Sequence, residues 1–202
     1  SSDLARGIKL YKQNNSDLIY THDVTHAMAL ILKYELDSDD RYQSFIQNCN
    51  ITRQRLQQTE LSFLSPPAQR SQCRYFNVER LTDWAINLLN SPQETLFELV
   101  PNGEPSTIHQ KIIYQLGWLV DYQSELIRWN QMVILTRSIE TQLKQSGLNH
   151  QVLQHLQSNN FTFADSSLKD FQLKIFDYLV AQSHDIRDEE TFLATSDVIE
   201  SL

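Results

Sequence analysis

Two histidines four residues apart flank an aspartate in the stretch THDVTH, residues 21–26. At this spacing His22 and His26 could share one helical face and bind zinc, with the acid between them activating a metal-bound water. Asp23, however, is shorter than the glutamate that this chemistry uses, and the residues before His22 have a strand-like pattern. We therefore expect a helix that begins near Thr25, with Asp23 accepting a hydrogen bond from its start and His26 half-buried. No metalloprotease site is expected.

Other reactive arrangements are not indicated by spacing. The sequence has neither a glycine-rich phosphate loop nor a nucleophile elbow around a serine. Cys49 and Cys73 are too few and too far apart for a disulfide framework, which favours reduced thiols in a cytoplasmic protein. The acidic run DSDD at 37–40 lacks the glycine and the final glutamate of a calcium loop, and helix capping explains it more simply.

Charge is unevenly distributed along a chain of 202 residues whose net charge is −8. Residues 41–80 contain six arginines against two glutamates, whereas the segment from 181 onward has a net charge of −5. The basic segment could face phosphate, although solvated helix faces give the same pattern. No apolar run approaches the roughly 20 residues that span a bilayer, so no membrane partner is expected. The candidate DNA-binding residues are Arg53, Arg55, Arg70, Arg74 and Arg80.

The hydrophobic pattern predicts a mainly helical chain, because glycine is scarce and apolar residues recur at helical spacing. One short strand is predicted at 17–21. Residues 25–36 are apolar nearly all round, which predicts a deeply buried helix. Asn77 is the expected N-cap of a helix ending near residue 90. The predicted helices cover 2 to about 13, 25–36, 39–64, 78–90, 108–146, 149–157 and 166–183, and another starts at 195 or 196.

The helix at 108–146 is the strongest of these patterns, with Leu126, Trp129 and Val133 among its core positions. The pattern permits a bend in this helix near Gly117, and Gly147 is suited to end the helix at its C-terminus. Trp118 is also expected in the core rather than on a base-stacking platform.

A family resemblance is carried by the succession SSDLARGIKLY, DLIYTHDVTHAMALILKYEL, RQRLQQTELSFLSPPAQRSQCRYFNVERLTDWA, LGWLVDYQSELIRWNQM and TSDVIESL. In this order the segments resemble the distal part of bacterial insertion-sequence transposases of the DDE type, in the ribonuclease H-like superfamily. The most specific pieces are DVTH and DVIES. The resemblance extends over most of the chain and implies DNA recombination by a mobile element.

The resemblance also implies roles for individual residues. Asp23 and His26 match a D-x-x-H element beside the active site, with His22 incidental, and Glu200 matches the third catalytic acid, a metal ligand. The complete parent protein would use Mg²⁺ held between carboxylates. The other two acids would precede this chain, the second just upstream of Ser2, so we expect a piece of a longer protein with no cofactor or catalysis of its own.

The implied architecture is a partial ribonuclease H-like α/β edge with one or two short strands at 1–36, a helical insertion at 37–193, and the start of a final core helix at 194–202. The expected function is that of a transposase fragment that contacts DNA weakly; whether the chain is itself an enzyme stays open, as does a homo-oligomer. The alternative is a non-catalytic helical protein-interaction module, in which Asp23, His26 and Glu200 are structural. Proximity of Glu200 to Asp23 would favour the transposase.

Overall fold

The computed structural model describes residues 23–69, 76–92, 105–158, 165–184, 186–187 and 189–192. Helix dominates these residues, as the sequence predicts, and an isolated antiparallel bridge between Leu148 and Phe192 is the extended pairing that they contain. The helices are α1 (Val24–Asp37), α2 (Asp40–Leu56), α3 (Phe76–Asn90), α4 (Pro105–Leu116), α5 (Gln123–Ser146), α6 (His150–Ser158) and α7 (Ser166–Ser183), with 3₁₀ helices at Ser62–Leu64 and Gly117–Tyr122.

The long helix α5 is the centre of the packing and contacts α1, α3, α6 and α7. Its buried residues recur three and four apart, as an apolar stripe on a packed helix should. Leu126 and Trp129 are fully buried and Val133 nearly so, which confirms their prediction as core. α1 and α2 also contact each other, and α1 contacts α7.

An aromatic cluster joins α2 to α5 through the second 3₁₀ helix. The ring of Trp129 lies 5.1 Å from that of Tyr42 in an edge-to-face arrangement, and 5.3 Å from that of Phe45. Phe45 also contacts Trp118 and Tyr122, at 5.8 Å and 5.5 Å between ring centroids. Such pairs add to the stabilisation that burial of the rings gives. Trp118 is only half-buried, so its prediction as core is confirmed in part.

The predicted helix at 108–146 is interrupted rather than continuous. α4 ends at Leu116, and Gly117–Tyr122 forms the 3₁₀ helix that precedes α5. The indole Nε1 of Trp118 donates to the carbonyl of Gln115 and to Thr52 Oγ1, each at 3.0 Å. These bonds hold Trp118 against α2, and the glycine, a poor helix former, stands where α geometry stops.

The expected end of α2 near residue 64 is wrong, because the helix ends at Leu56. The amide and the hydroxyl of Thr59 both donate to the carbonyl of Leu56, at 3.0 Å and 2.9 Å, so a local turn replaces the next helical bond. The change of geometry also changes which side chains point inward. Leu61 and Leu64 are buried, whereas Phe63 is 45% exposed.

The expectation of an all-round buried helix at 25–36 is also wrong. α1 buries one side, with Val24, Met28, Leu32 and Leu36 in the core. Its opposite side faces solvent, and the Tyr34 side chain is 67% exposed. α1 is therefore amphipathic, since a tyrosine can present its ring and hydroxyl to water at low cost.

Gly147 ends α5 as predicted. Its φ of 69° is in the left-handed region, and its amide donates to the carbonyl of Leu143 at 2.9 Å. Immediately afterwards Leu148 and Phe192 exchange two backbone hydrogen bonds, at 2.8 Å and 2.9 Å. A Cβ at Gly147 would lie 2.8 Å from the Phe192 carbonyl oxygen and would also collide with Thr191.

The remaining helix limits agree with the sequence within a residue or two. α6 and α7 lie where they are predicted, and Asn149 caps α6 by accepting from the Val152 amide at 2.8 Å. α3 begins at Phe76, so Asn77 stands inside the helix and is not its N-cap. The predicted strand at 17–21, the helix from 2 to about 13 and the final helix lie outside the described residues. The domain limits therefore stay predictions.

None of the described helices is long and apolar enough to cross a bilayer.

Candidate functional site

The D-x-x-H element begins α1. Asp23 is the N-cap, and its Oδ1 accepts from the His26 amide at 3.0 Å, as predicted. The imidazole of His26 is exposed, which corrects the expectation that it is half-buried. Burial raises the pKa of Tyr178 on α7, and the Asp23 carboxylate raises it further. Asp23 is thus a half-buried carboxylate between the start of α1 and the side of α7.

The described residues offer no metal centre around this carboxylate. No group of three or more His, Cys, Asp or Glu side chains among them is placed to hold a metal ion. His22 and Glu200 lie outside the described residues, so the distance from Glu200 to Asp23 is not defined. What this part of the chain supplies on its own is a capped helix start, with one oriented acid and one exposed imidazole.

The arginine candidates divide into three groups. Arg53 donates to the carbonyl of Pro66 at 2.6 Å and so anchors the segment after α2. Arg55 on α2 and Arg80 on α3 are exposed. Arg70 and Arg74 lie outside the described residues. The structure therefore gives Arg53 a structural contact and leaves Arg55 and Arg80 on the surface.

A half-buried polar junction that spacing could not reveal centres on Asp39. Its Oδ1 caps α2 by accepting from the amides of Arg41 and Tyr42, at 2.9 Å and 3.3 Å. Its Oδ2 accepts from Arg128 Nη2 at 2.6 Å and from Trp129 Nε1 at 3.0 Å. Four donors occupy this carboxylate, which leaves it little capacity to bind a metal or move a proton. Its role is structural.

A cleft of about 230 Å³ adjoins this junction and is lined by Glu35, Ser38, Asp39, Arg128 and Ser167 among others. The Nε of Arg128 is buried there without a partner among the described atoms. The cleft combines both signs of charge and has no convergent set of ligands. It suits ordered water better than an anion or a cation.

A second polar contact stands beside the first. Arg41 Nε donates to Glu125 Oε1 at 2.7 Å, and its guanidinium lies 4.2 Å from the centre of the Tyr122 ring. Burial acts to raise the pKa of Glu125, but hydrogen bonds from Ser124 and Arg41 outweigh it and lower that pKa. This contact holds α2 against the start of α5.

Cys49 lies in the core and is a poor nucleophile. Burial raises the pKa of its thiol to about 12, so almost none of the reactive thiolate is present near neutral pH. The structure describes Cys49 as unpaired, whereas Cys73 lies outside the described residues.

Comparison of the chain with protein-family models, curated proteins and solved structures found no match. The resemblance to transposases therefore rests on the sequence motifs quoted above.

Proposed function

We propose that the chain is part of a DDE-type DNA transposase and carries its helical insertion, which contacts DNA without catalysing strand transfer alone. The observation that carries the proposal is the D-x-x-H element. Asp23 is oriented by the His26 amide at the first turn of a helix, with the imidazole exposed. The mainly helical architecture also agrees with a large insertion between distant catalytic acids.

The DNA contact is assigned to α2 and α3, which are tied to the same connecting segment. Arg53 on α2 donates to the carbonyl of Pro66. Trp84 on α3 donates from Nε1 to the carbonyl of Leu64 at 3.1 Å. The segment 57–69 is thus hydrogen-bonded to both helices. Each helix also has an exposed arginine.

Arg55 and Arg80 are these exposed arginines, and phosphate would be their ligand. Protein cations that neutralise phosphates release counterions, so binding weakens steeply as salt rises. Because the net charge is −8, we expect duplex DNA to bind only at low salt.

The test is fluorescence anisotropy with labelled duplex DNA over a salt series. If both arginines contact phosphate, the Arg55→Ala/Arg80→Ala variant should flatten the log–log salt dependence by about 1.8, or about 0.9 for each contact. Arg187→Ala is the matched control, since this arginine is 83% exposed but lies in the acidic segment. The DNA contact would be refuted if the double variant and Arg187→Ala bound DNA with the same affinity and the same salt dependence, with unchanged circular dichroism.

Catalysis by the isolated chain is expected to be absent in Mg²⁺ or Mn²⁺, because one acid of a triad cannot hold the two metal ions that this class of reaction uses. Nicking of supercoiled plasmid is a sensitive assay. Metal-dependent nicking by the purified chain that disappears in Glu200→Gln would contradict this part of the proposal.

A non-catalytic helical interaction module is the second candidate function. It is favoured by an apolar cleft of about 200 Å³ between the end of α3, α4 and the second 3₁₀ helix. Leu88, Ile112 and Val120 are among its lining residues, and Val120 is 61% exposed. Salt-independent or absent DNA binding in the anisotropy experiment would favour this candidate.

A further inference from the structure

A short segment after α7 lies against the connection between α5 and α6. It comprises the described residues 186–187 and 189–192 and is here called the strap. The backbones of Leu148 in the connection and Phe192 in the strap exchange two hydrogen bonds, at 2.8 Å and 2.9 Å. The strap is thus paired with the connection as two antiparallel strands would be, over one residue on each side.

Two side chains of the connection also bind the strap. Asn149 Nδ2 donates to Thr191 Oγ1 at 3.0 Å. His150 Nε2 donates to the carbonyl of Ile186 at 2.9 Å. The Oδ1 of the same asparagine caps α6 by accepting from the Val152 amide. Asn149 therefore binds the helix with one atom and the strap with another, so the cap does not depend on the strap.

The close approach of the strap also explains the glycine at the end of α5. Gly147 has φ 69° and ψ −174°, a region of backbone conformation that essentially only glycine adopts. A Cβ there would collide with the side chain of Thr191 and would lie 2.8 Å from the Phe192 carbonyl oxygen. Gly147 thus ends the helix and also leaves room for the strap.

The attachment of the strap is local. Among the described residues, its hydrogen bonds to other segments run to residues 148–150 and to the Ser183 carbonyl at the end of α7. The strap also buries few side chains, since Ile186 is buried and Phe192 is half-buried. Three of its other described residues are exposed, namely Arg187, Glu189 and Thr191.

We propose that the strap is a latch that opens and closes as one unit while the helices stay folded. Proteins open locally in cooperative segments, and segments with few buried contacts open most easily. Opening breaks the Leu148–Phe192 bridge and the two side-chain bonds, but it breaks no hydrogen bond within α5 or α6. Because these contacts all lie at one place on the bundle, the bridge residues lose their partners together.

The latch limits where the chain after the strap can go. Glu200 follows Phe192 by eight residues, which span at most about 29 Å when fully extended. A closed strap therefore keeps this acid within about 29 Å of the α5–α6 connection, and an open strap releases it. This consequence rests on the proposed function, in which Glu200 matches the third catalytic acid and the latch regulates its position.

Native-state hydrogen exchange of the whole chain, followed by NMR at low urea concentrations, tests the proposal. The Leu148 and Phe192 amides, which form the bridge, should have equal protection factors. Their protection should be at least about tenfold below that of the Leu135 amide in the buried part of α5. It should also depend little on urea, because local opening exposes little surface.

Thr191→Ala removes the acceptor of Asn149 at an exposed position and should lower the protection of both bridge amides about fivefold. Protection of the Leu135 amide should not fall. Thr141→Ala is the matched control, because it makes the same change at an exposed threonine on α5. The control should leave the bridge amides as they are in the unmodified chain.

The proposal is overturned if the bridge amides exchange with the protection and the urea dependence of Leu135, because the strap would then open only when the whole chain unfolds. Unequal protection at Leu148 and Phe192 also overturns it, as does a Thr191→Ala variant whose bridge amides keep their protection. The measurement uses neither DNA nor metal. Failure of the DNA-binding test would therefore leave the latch intact, and failure of the exchange test would leave the DNA contact untouched.

Discussion

The indole Nε1 of Trp129 donates to Oδ2 of Asp39 at 3.0 Å, which joins the second turn of α5 to the N-terminus of α2 across 90 residues of sequence. The same oxygen accepts from Arg128, and the other carboxylate oxygen caps α2. The Asp39 side chain thus caps the first turn of α2 and also holds α5 in position against it. Loss of this carboxylate should affect both.

Asp39→Ala should lower the free energy of unfolding by about 2–4 kcal/mol, because it removes the helix cap and leaves the partly buried donors of Arg128 and Trp129 unsatisfied. Urea denaturation measures the change. Asp40→Ala, at the exposed neighbouring position, should cost only a few tenths of a kcal/mol. Equal effects of the two substitutions would show that the Asp39 junction contributes nothing beyond helix-end charge.

Trp129→Ala should cost about 3–5 kcal/mol through lost burial and the cavity that remains. Trp129→Phe keeps most of the apolar contact and removes the indole donor, so its cost should be smaller. Chemical denaturation of both variants separates packing from the hydrogen bond. A loss below about 1 kcal/mol for Trp129→Ala would contradict the position of this ring in the core.

The two described glycines, Gly117 after α4 and Gly147 after α5, should respond differently to alanine. Gly147→Ala should lower the free energy of unfolding by at least about 1–2 kcal/mol, because a left-handed residue acquires a Cβ. That Cβ also meets the Phe192 carbonyl. In Gly117→Ala the new Cβ would meet Ile113 Cγ2 at an ordinary 3.7 Å, so little change is expected. Thermal denaturation compares the pair, and a reversed order would refute this account.

Glu125 gives a pH dependence with a definite sign. Its pKa is lowered from 4.5 in the folded chain, so the unfolded chain binds the proton at a higher pH. The resulting stabilisation is fully present above about pH 4.5 and is lost as pH falls through the lower, folded pKa. Unfolding free energies of the unmodified chain and Glu125→Gln should therefore converge with acidification.

The Arg41→Ala variant checks the cause of that convergence. It removes the partner that donates to Glu125, and its own difference from the unmodified chain should also shrink below about pH 4.5. A difference that is constant between pH 7 and pH 3 in both variants would show that the contact makes no contribution linked to protonation.

Periodicity was sufficient to predict the helices whose ends carry local signals. Asp165 caps α7 and Gly147 ends α5, and both signals are readable because they act within a few residues. The end of α2 was not predictable in the same way. Thr59 stops that helix with bonds to Leu56, and a lone threonine in an apolar pattern is an ambiguous signal.

Only the helix-capping part of the Asp39 junction was predictable from the sequence. Asp39 is recognisable as an N-cap from its position before α2, but its bonds to Arg128 and Trp129 depend on how distant helices pack. The same holds for Tyr34, which periodicity alone assigns to a buried surface. Neighbouring helices decide which arc of a helix is covered, and a single sequence contains that information only indirectly.

The Asp39–Trp129 contact also bears on how quickly the chain reaches this structure. Helical bundles with mostly local contacts fold in microseconds to milliseconds, because little loop-closure entropy is lost before contacts form. Here Asp39–Trp129 spans 90 residues, and Glu35–Lys174 spans 139. The first contact joins α2 to α5 and the second joins α1 to α7. Neither contact can form until the later helix is in place. Folding of the bundle should therefore be slower than its helix content suggests, and α1 and α2 should acquire protection from hydrogen exchange only after α5 is formed.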